Sequence, residues 1–152
     1  MKVPLDQIHE VGKVPVVTQE KGSIIAGYAD IEDEISDIPV IVFGDHSCSF
    51  KYIDFPFVRG ADGTQLLKFD PHQFDVKFMF YYLQMQTIEN QDRYERHMKY
   101  LKQMHIKVPL LGDQKKAVAE LEKYEVEIAK AESLLPTFEE RKRVLILRCL
   151  NE

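Results

Sequence analysis

At 152 residues, 45% hydrophobic and 30% charged, the chain has ordinary globular composition and room for one domain with a real core plus an appendage, which excludes a disordered protein. The formal net charge is -5, and neither residues 1–110 nor residues 111–152 are basic, so the balance argues against a nucleic-acid binder unless the bases gather on one face and the acids sit elsewhere. The acids do gather, at Asp30, Glu32, Asp33, Glu34 and Asp37, and this leaves the rest of residues 1–110 about neutral.

Residues 1 to 70 read as strands and loops. Val14-Pro15-Val16-Val17-Thr18, Ser23-Ile24-Ile25-Ala26-Gly27-Tyr28, Val40-Ile41-Val42-Phe43 and Phe50-Lys51-Tyr52-Ile53 are short β-branched or aromatic runs bounded by glycine, proline or charge. Gly60-Ala61-Asp62-Gly63, between Val58 and Leu66, reads as a hairpin or a short loop joining two strands. From Asp70-Pro71 the period changes. Phe74, Phe78, Tyr81, Tyr82 and Met85 recur at three and four, which predicts a helix over about Pro71 to Thr87 capped by Asp70. A second helix is predicted over Gln91 to Met104, with Tyr94, Met98, Leu101 and Met104 on one face.

After the extended Ile106-Lys107-Val108-Pro109 comes the strongest pattern in the chain. Ala117, Leu121, Tyr124, Ile128, Ala131 and Leu135 form an a/d stripe, with charged residues mostly off it, so the spacing predicts a coiled-coil helix with Gly112-Asp113 at its start. The stripe is narrower than the face a globular helix usually buries, although a surface helix packed on its own domain is the plainer alternative. Pro136 is expected to kink or split this helix, because a proline removes a hydrogen bond and clashes with the turn before it. The domains read as 1–110 and 111–152: a mixed α/β (α+β) unit with packed helices, then the long C-terminal helix.

Cys48 and Cys149 are lone cysteines, with no CxxC and no Cys/His cluster, so neither a metal site nor a disulfide framework is suggested and a reducing compartment fits. No signal peptide is visible, and the longest apolar run, Phe78 to Leu83, is too short for a membrane span. The expectation is a cytoplasmic protein with no membrane partner.

Gly44-Asp45-His46-Ser47 follows a buried strand and would present three polar side chains on a loop, where function often sits. Catalysis there would need a second carboxylate or histidine at recognisable spacing, or a nucleophile elbow, and the sequence has neither. A plain turn and a binding loop are the remaining readings. Gln19, Lys21, Tyr28, Lys51 and Arg59 join such a loop as candidate phosphate or base-edge contacts, although each alone is more often a solvated surface residue. His9, His72, His97 and His105 have no helical partner or nearby acid pattern and read as structural or surface residues.

The order of these features resembles the specificity subunits of type I restriction-modification systems. The resemblance runs from Val14-Pro15-Val16-Val17-Thr18-Gln19 through Gly27-Tyr28 and Ile41-Val42-Phe43-Gly44-Asp45-His46 to the helix ending Phe80-Tyr81-Tyr82-Leu83. It continues through Ile106-Lys107-Val108-Pro109-Leu110 to Gln114, which opens the heptad helix. It implies a target recognition domain over 1–110 that reads half of a split double-stranded DNA site, with Gln19, Lys21, Tyr28, Asp45, His46, Ser47, Lys51 and Arg59 as the DNA-facing candidates. It also implies a spacer helix over 111–152 that docks a DNA methyltransferase subunit and joins a restriction subunit. Such subunits usually carry two recognition domains and two helices, and this chain has room for one of each, so it looks like a half-subunit. It would then form a homodimer through Ala117, Leu121, Tyr124, Ile128, Ala131 and Leu135, or be one half of a longer chain. The implied module is not an enzyme and holds no cofactor, S-adenosylmethionine belonging to the methyltransferase partner. The competing expectation is a coiled-coil interaction or scaffold module that does not bind DNA. A small hydrolase using Asp45 and His46 is the third.

Overall fold

The computed structural model describes residues 2–60 and 63–150. Among these, seven strands run in chain order with three α-helices behind them: β1 (Lys2–Val3), β2 (Val14–Val17), β3 (Gly27–Ala29), β4 (Val40–Gly44), β5 (Phe50–Ile53), β6 (Val58–Gly60), β7 (Thr64–Leu67), α1 (Val76–Gln84), α2 (Met98–Leu101) and α3 (Leu111–Leu150). The class is mixed α+β, with two sheets and a long C-terminal helix. The chain divides into two compact units, Met1–Gln114 and Lys115–Glu152.

The strand order explains where the core sits. One sheet runs β1-β6-β2-β3, with β6 parallel to both β1 and β2; the other runs β5-β4-β7 and is antiparallel throughout. β4 is the central strand of its sheet and is buried along its whole length. Its side chains alternate between faces, as the period of two requires. Val40 and Val42 pack with Val17 and Phe57 of the first sheet's neighbourhood, while Ile41 packs with Met79 and Leu83 of α1. A continuous apolar run such as Val-Ile-Val-Phe is what a strand covered on both faces needs.

Several expected boundaries move. β6 and β7 belong to different sheets, so residues 60–63 connect sheets and do not close a hairpin; Ala61 and Asp62 lie outside the described residues. The expected Ser23–Tyr28 strand is reduced to Gly27–Ala29. The helix expected from Pro71 begins only at Val76. Asp70 instead closes a turn by accepting the N–H of His72 at 2.9 Å, and the cap is Asp75, whose carboxylate accepts the N–H of Phe78 at 2.9 Å. Of the stretch Gln91 to Met104, only Met98–Leu101 is helical, because the residues before it are held by contacts to the β4–β5 turn that compete with local helix.

α3 starts at Leu111, so Gly112 and Asp113 lie inside it; the Leu110 carbonyl accepts the N–H groups of Asp113 and Gln114 at 2.9 and 3.1 Å. Pro136 does not split it, and helix is maintained over 40 residues. Among the described residues, no helix is long and apolar enough to cross a membrane.

Candidate functional site

β4 ends at Gly44, and the chain turns back into β5 within six residues. The Gly44 N–H donates to the Ser49 carbonyl at 2.9 Å and the Cys48 N–H to the Gly44 carbonyl at 2.8 Å, with Cys48 in the left-handed region at φ 54°. Glycine is required at 44 by space: a Cβ there would run into Ser47 Oγ and come within 2.8 Å of the Gln19 carbonyl. Gln19, just past β2, binds this turn at both ends of its residue. Its side-chain oxygen accepts the His46 N–H at 3.0 Å, and its backbone carbonyl accepts the hydroxyls of Ser47 and Ser49, the latter at 2.9 Å. Gly63, at φ 74°, lies so close to the Gln19 amide that any side chain there would displace it.

Asp45 ties the turn to the segment before α2. It is buried; its Oδ1 accepts the Met98 N–H at 2.7 Å, its carbonyl accepts the His97 N–H at 2.8 Å, and its own N–H donates to the Gly63 carbonyl at 2.7 Å. His97 is fully buried, with Nδ1 2.9 Å from the Asp45 carbonyl and Nε2 2.9 Å from the Asn90 carbonyl. These contacts bring the 90–97 segment over the turn. The His46 ring, its Nδ1 3.1 Å from the Glu95 carbonyl, stacks on Tyr94 with centroids 5.3 Å apart and planes at 14°. Tyr94 is 94% exposed, and Arg93 and Arg96 beside it are exposed as well. The Glu95 carboxylate accepts Lys99 Nζ at 2.6 Å and the Tyr100 hydroxyl at 3.0 Å; these bonds, Lys99 first, hold its carboxyl below the usual range.

The turn also borders a polar hollow of about 400 Å³ lined by Lys21, Cys48, Lys51, Gln84, Gln86 and Gln91 among others. Lys51 is buried and donates to the Ser23 carbonyl at 2.8 Å. Burial pushes its ammonium below the usual lysine range, with Glu20 pulling the other way. Burial also raises the Cys48 thiol, opposed by Lys21 and reinforced by Asp45 and Asp92.

The structure therefore gathers Gln19, Asp45, His46, Ser47, Lys21 and Lys51 around one turn. It does not gather Tyr28, on β3 opposite Pro15, or Arg59, on β6 opposite Val17, both of which lie in the first sheet. Within the gathered set the side chains divide. Gln19, Asp45, Ser47 and Lys51 are engaged internally and build the turn, the half-buried His46 ring is held by the Glu95 carbonyl and the Tyr94 ring, and Lys21 is exposed. Tyr94, Arg93 and Arg96 are additions that sequence reasoning missed. The stretch carries a helical stripe, and only the 52-residue link between Asp45 and His97 places it here.

The second set of candidates lies on α3. Leu121, Tyr124, Ile128, Ala131 and Leu135 are exposed, Tyr124, Ile128 and Leu135 by 59%, 57% and 58%, and Ala117 is half-buried. Among the described residues, no group of three or more His, Cys, Asp or Glu could hold a metal ion. A comparison of the chain with protein-family models, with curated proteins and with solved structures finds no match.

Proposed function

We propose that the chain is a non-catalytic DNA recognition module of the specificity-subunit kind, reading one half-site and docking a methyltransferase subunit in the cytoplasm. The observation that carries this reading is the His46–Tyr94 stack on a turn locked by Gln19, Asp45 and Ser47, with Arg93, Arg96 and Lys21 exposed around it. A reader of DNA needs side chains held in place before contact and cations to register the backbone. A rigid turn that commits its own polar groups internally, and offers an aromatic pair flanked by guanidinium groups, has that character. S-adenosylmethionine and methyl transfer belong to the partner, and the apolar stripe of α3 is the surface that would meet that partner or a second copy.

The test is methyl transfer to double-stranded DNA by purified components. The methyltransferase partner should methylate a defined site only when this chain is present, and the chain alone should transfer nothing. Robust transfer or nuclease activity by the chain alone contradicts the proposal. The second reading, an interaction module that never binds DNA, is favoured by the exposed stripe from Leu121 to Leu135. Fluorescence anisotropy with labelled duplexes separates the two, since the scaffold reading expects no salt-dependent binding even in the assembled complex.

A further inference from the structure

A second cleft, of about 320 Å³, lies within the first unit and is lined by β7 and the two residues after it, α1, α2 and the chain that follows α2. Met79 and Leu83 of α1, both buried, form its floor, and Phe69, Met98, Met104 and Ile106 stand half-buried among its walls. The volume falls at the lower end of the ~300–1,000 Å³ that small-molecule pockets span.

The lining residues select the ligand by elimination. None of them is Asn, Gln, Ser, Thr, Asp, Glu or His, so a polar body would lose its hydration without gaining side-chain partners. Three of them are methionines, which adapt to a flexible chain more readily than to a fixed ring system. The only charged lining residues are Lys68 and Lys102. A lysine beside an apolar cleft covers it with its stem while the ammonium stays in water. Lys68 Nζ is held by Asp37 at 2.6 Å, whereas exposed Lys102 makes no side-chain hydrogen bond or ion pair among the described residues. One apolar slot beside one uncommitted cation matches an apolar chain ending in one negative charge.

We propose that this cleft binds a medium-chain aliphatic carboxylate, with the chain over Met79 and Leu83 and the carboxylate at Lys102. The proposal does not depend on DNA recognition.

Isothermal titration of the full chain with hexanoate, octanoate and decanoate below their micelle concentrations tests it. Saturable binding with one site per chain is expected, tightening about fourfold for each added methylene until the cleft is filled. Decylamine should bind more weakly than decanoate. Lys102→Glu, at an exposed position, should weaken decanoate about two- to fivefold and leave decanol unchanged. Met104→Arg, with folding checked by circular dichroism, should abolish binding of both. Affinity independent of chain length, decylamine binding as well as decanoate, an unchanged decanoate affinity in Lys102→Glu, or undiminished binding by folded Met104→Arg would each overturn the assignment.

Discussion

The side-chain oxygen of Gln114, in the first turn of α3, accepts the backbone N–H of Asp75 at 2.8 Å, and Asp75 in turn caps α1. The Gln114 amide nitrogen donates to the carbonyls of Gln73 and Pro109 at 3.0 and 2.8 Å, so a fully buried amide fastens the end of one segment to the start of another. Only a side chain with both donor and acceptor can do this, because Asp75 offers an N–H and the other two partners offer carbonyls.

Gln114→Ala should therefore cost about 3 kcal/mol, since it leaves three polar groups without their partner and a void beside them. Gln114→Glu keeps the shape and the acceptor but turns a carboxylate oxygen toward two carbonyls, so it should be about as damaging. Urea denaturation measures both; a loss below about 0.5 kcal/mol for either would remove Gln114 from this role.

Asp45→Ala should cost about 2 kcal/mol and act at a distance. The Met98 N–H loses its acceptor, and the segment that carries Tyr94 loses one of its ties to the turn. Hydrogen exchange at the Met98 amide should accelerate more than exchange within β4. Uniform acceleration across both would show a global effect in place of a local one.

Lys51 links burial to pH. Its folded pKa lies below its unfolded value, so between the two the unfolded chain holds the extra proton and stability rises with pH across that window. At lower pH both states are protonated and the full cost of burying the ammonium remains. Wild-type stability relative to Lys51→Met should accordingly rise as the pH climbs toward the ordinary lysine value of 10.5. Paired denaturation curves whose difference is flat over that range would contradict the burial argument.

His46 and Tyr94 contribute little to the fold if their role is recognition. Replacing both by alanine should cost at most about 1.5 kcal/mol of stability, yet change which sequences an assembled methyltransferase complex modifies. Lys21→Ala should weaken binding to all sequences alike and reduce the salt slope by about one. Unchanged site choice in the double variant means that the turn does not read DNA.

Aspartate at Leu121 and Ile128 would place charge in any helix–helix seam built on α3. Sedimentation should show self-association of the unaltered chain and monomers for the double variant. A monomer at high concentration without any substitution would show that the stripe waits for a different partner.

What the amino-acid sequence by itself determined here is what depends on periodicity. β2, β4 and β5 stand within a residue of where their apolar runs put them, and the heptad stripe over residues 113–135 foretold a C-terminal helix, which runs on through the Pro136 that was expected to kink or split it. Both signals are local, because a strand or helix face repeats within a few residues. The Gly44–Ser47 turn was legible for the same reason, as a polar stretch ending a buried strand.

The tertiary structure decided everything that needed a distant partner. It put β6 and β7 in different sheets and moved the start of α1 to Val76, behind the cap Asp75, whose N–H is held by a glutamine 39 residues away. It also turned most of 91–104 from expected helix into a segment pinned to the β4–β5 turn. The roles of the site residues changed likewise. Gln19 meets His46 across 27 residues and Asp45 meets Met98 across 53, so side chains that could contact DNA as readily as protein are committed to the turn. A hydrogen-bonding side chain looks the same in sequence whether its partner is solvent, DNA or its own backbone, and only the folded chain brings one of them within 3 Å.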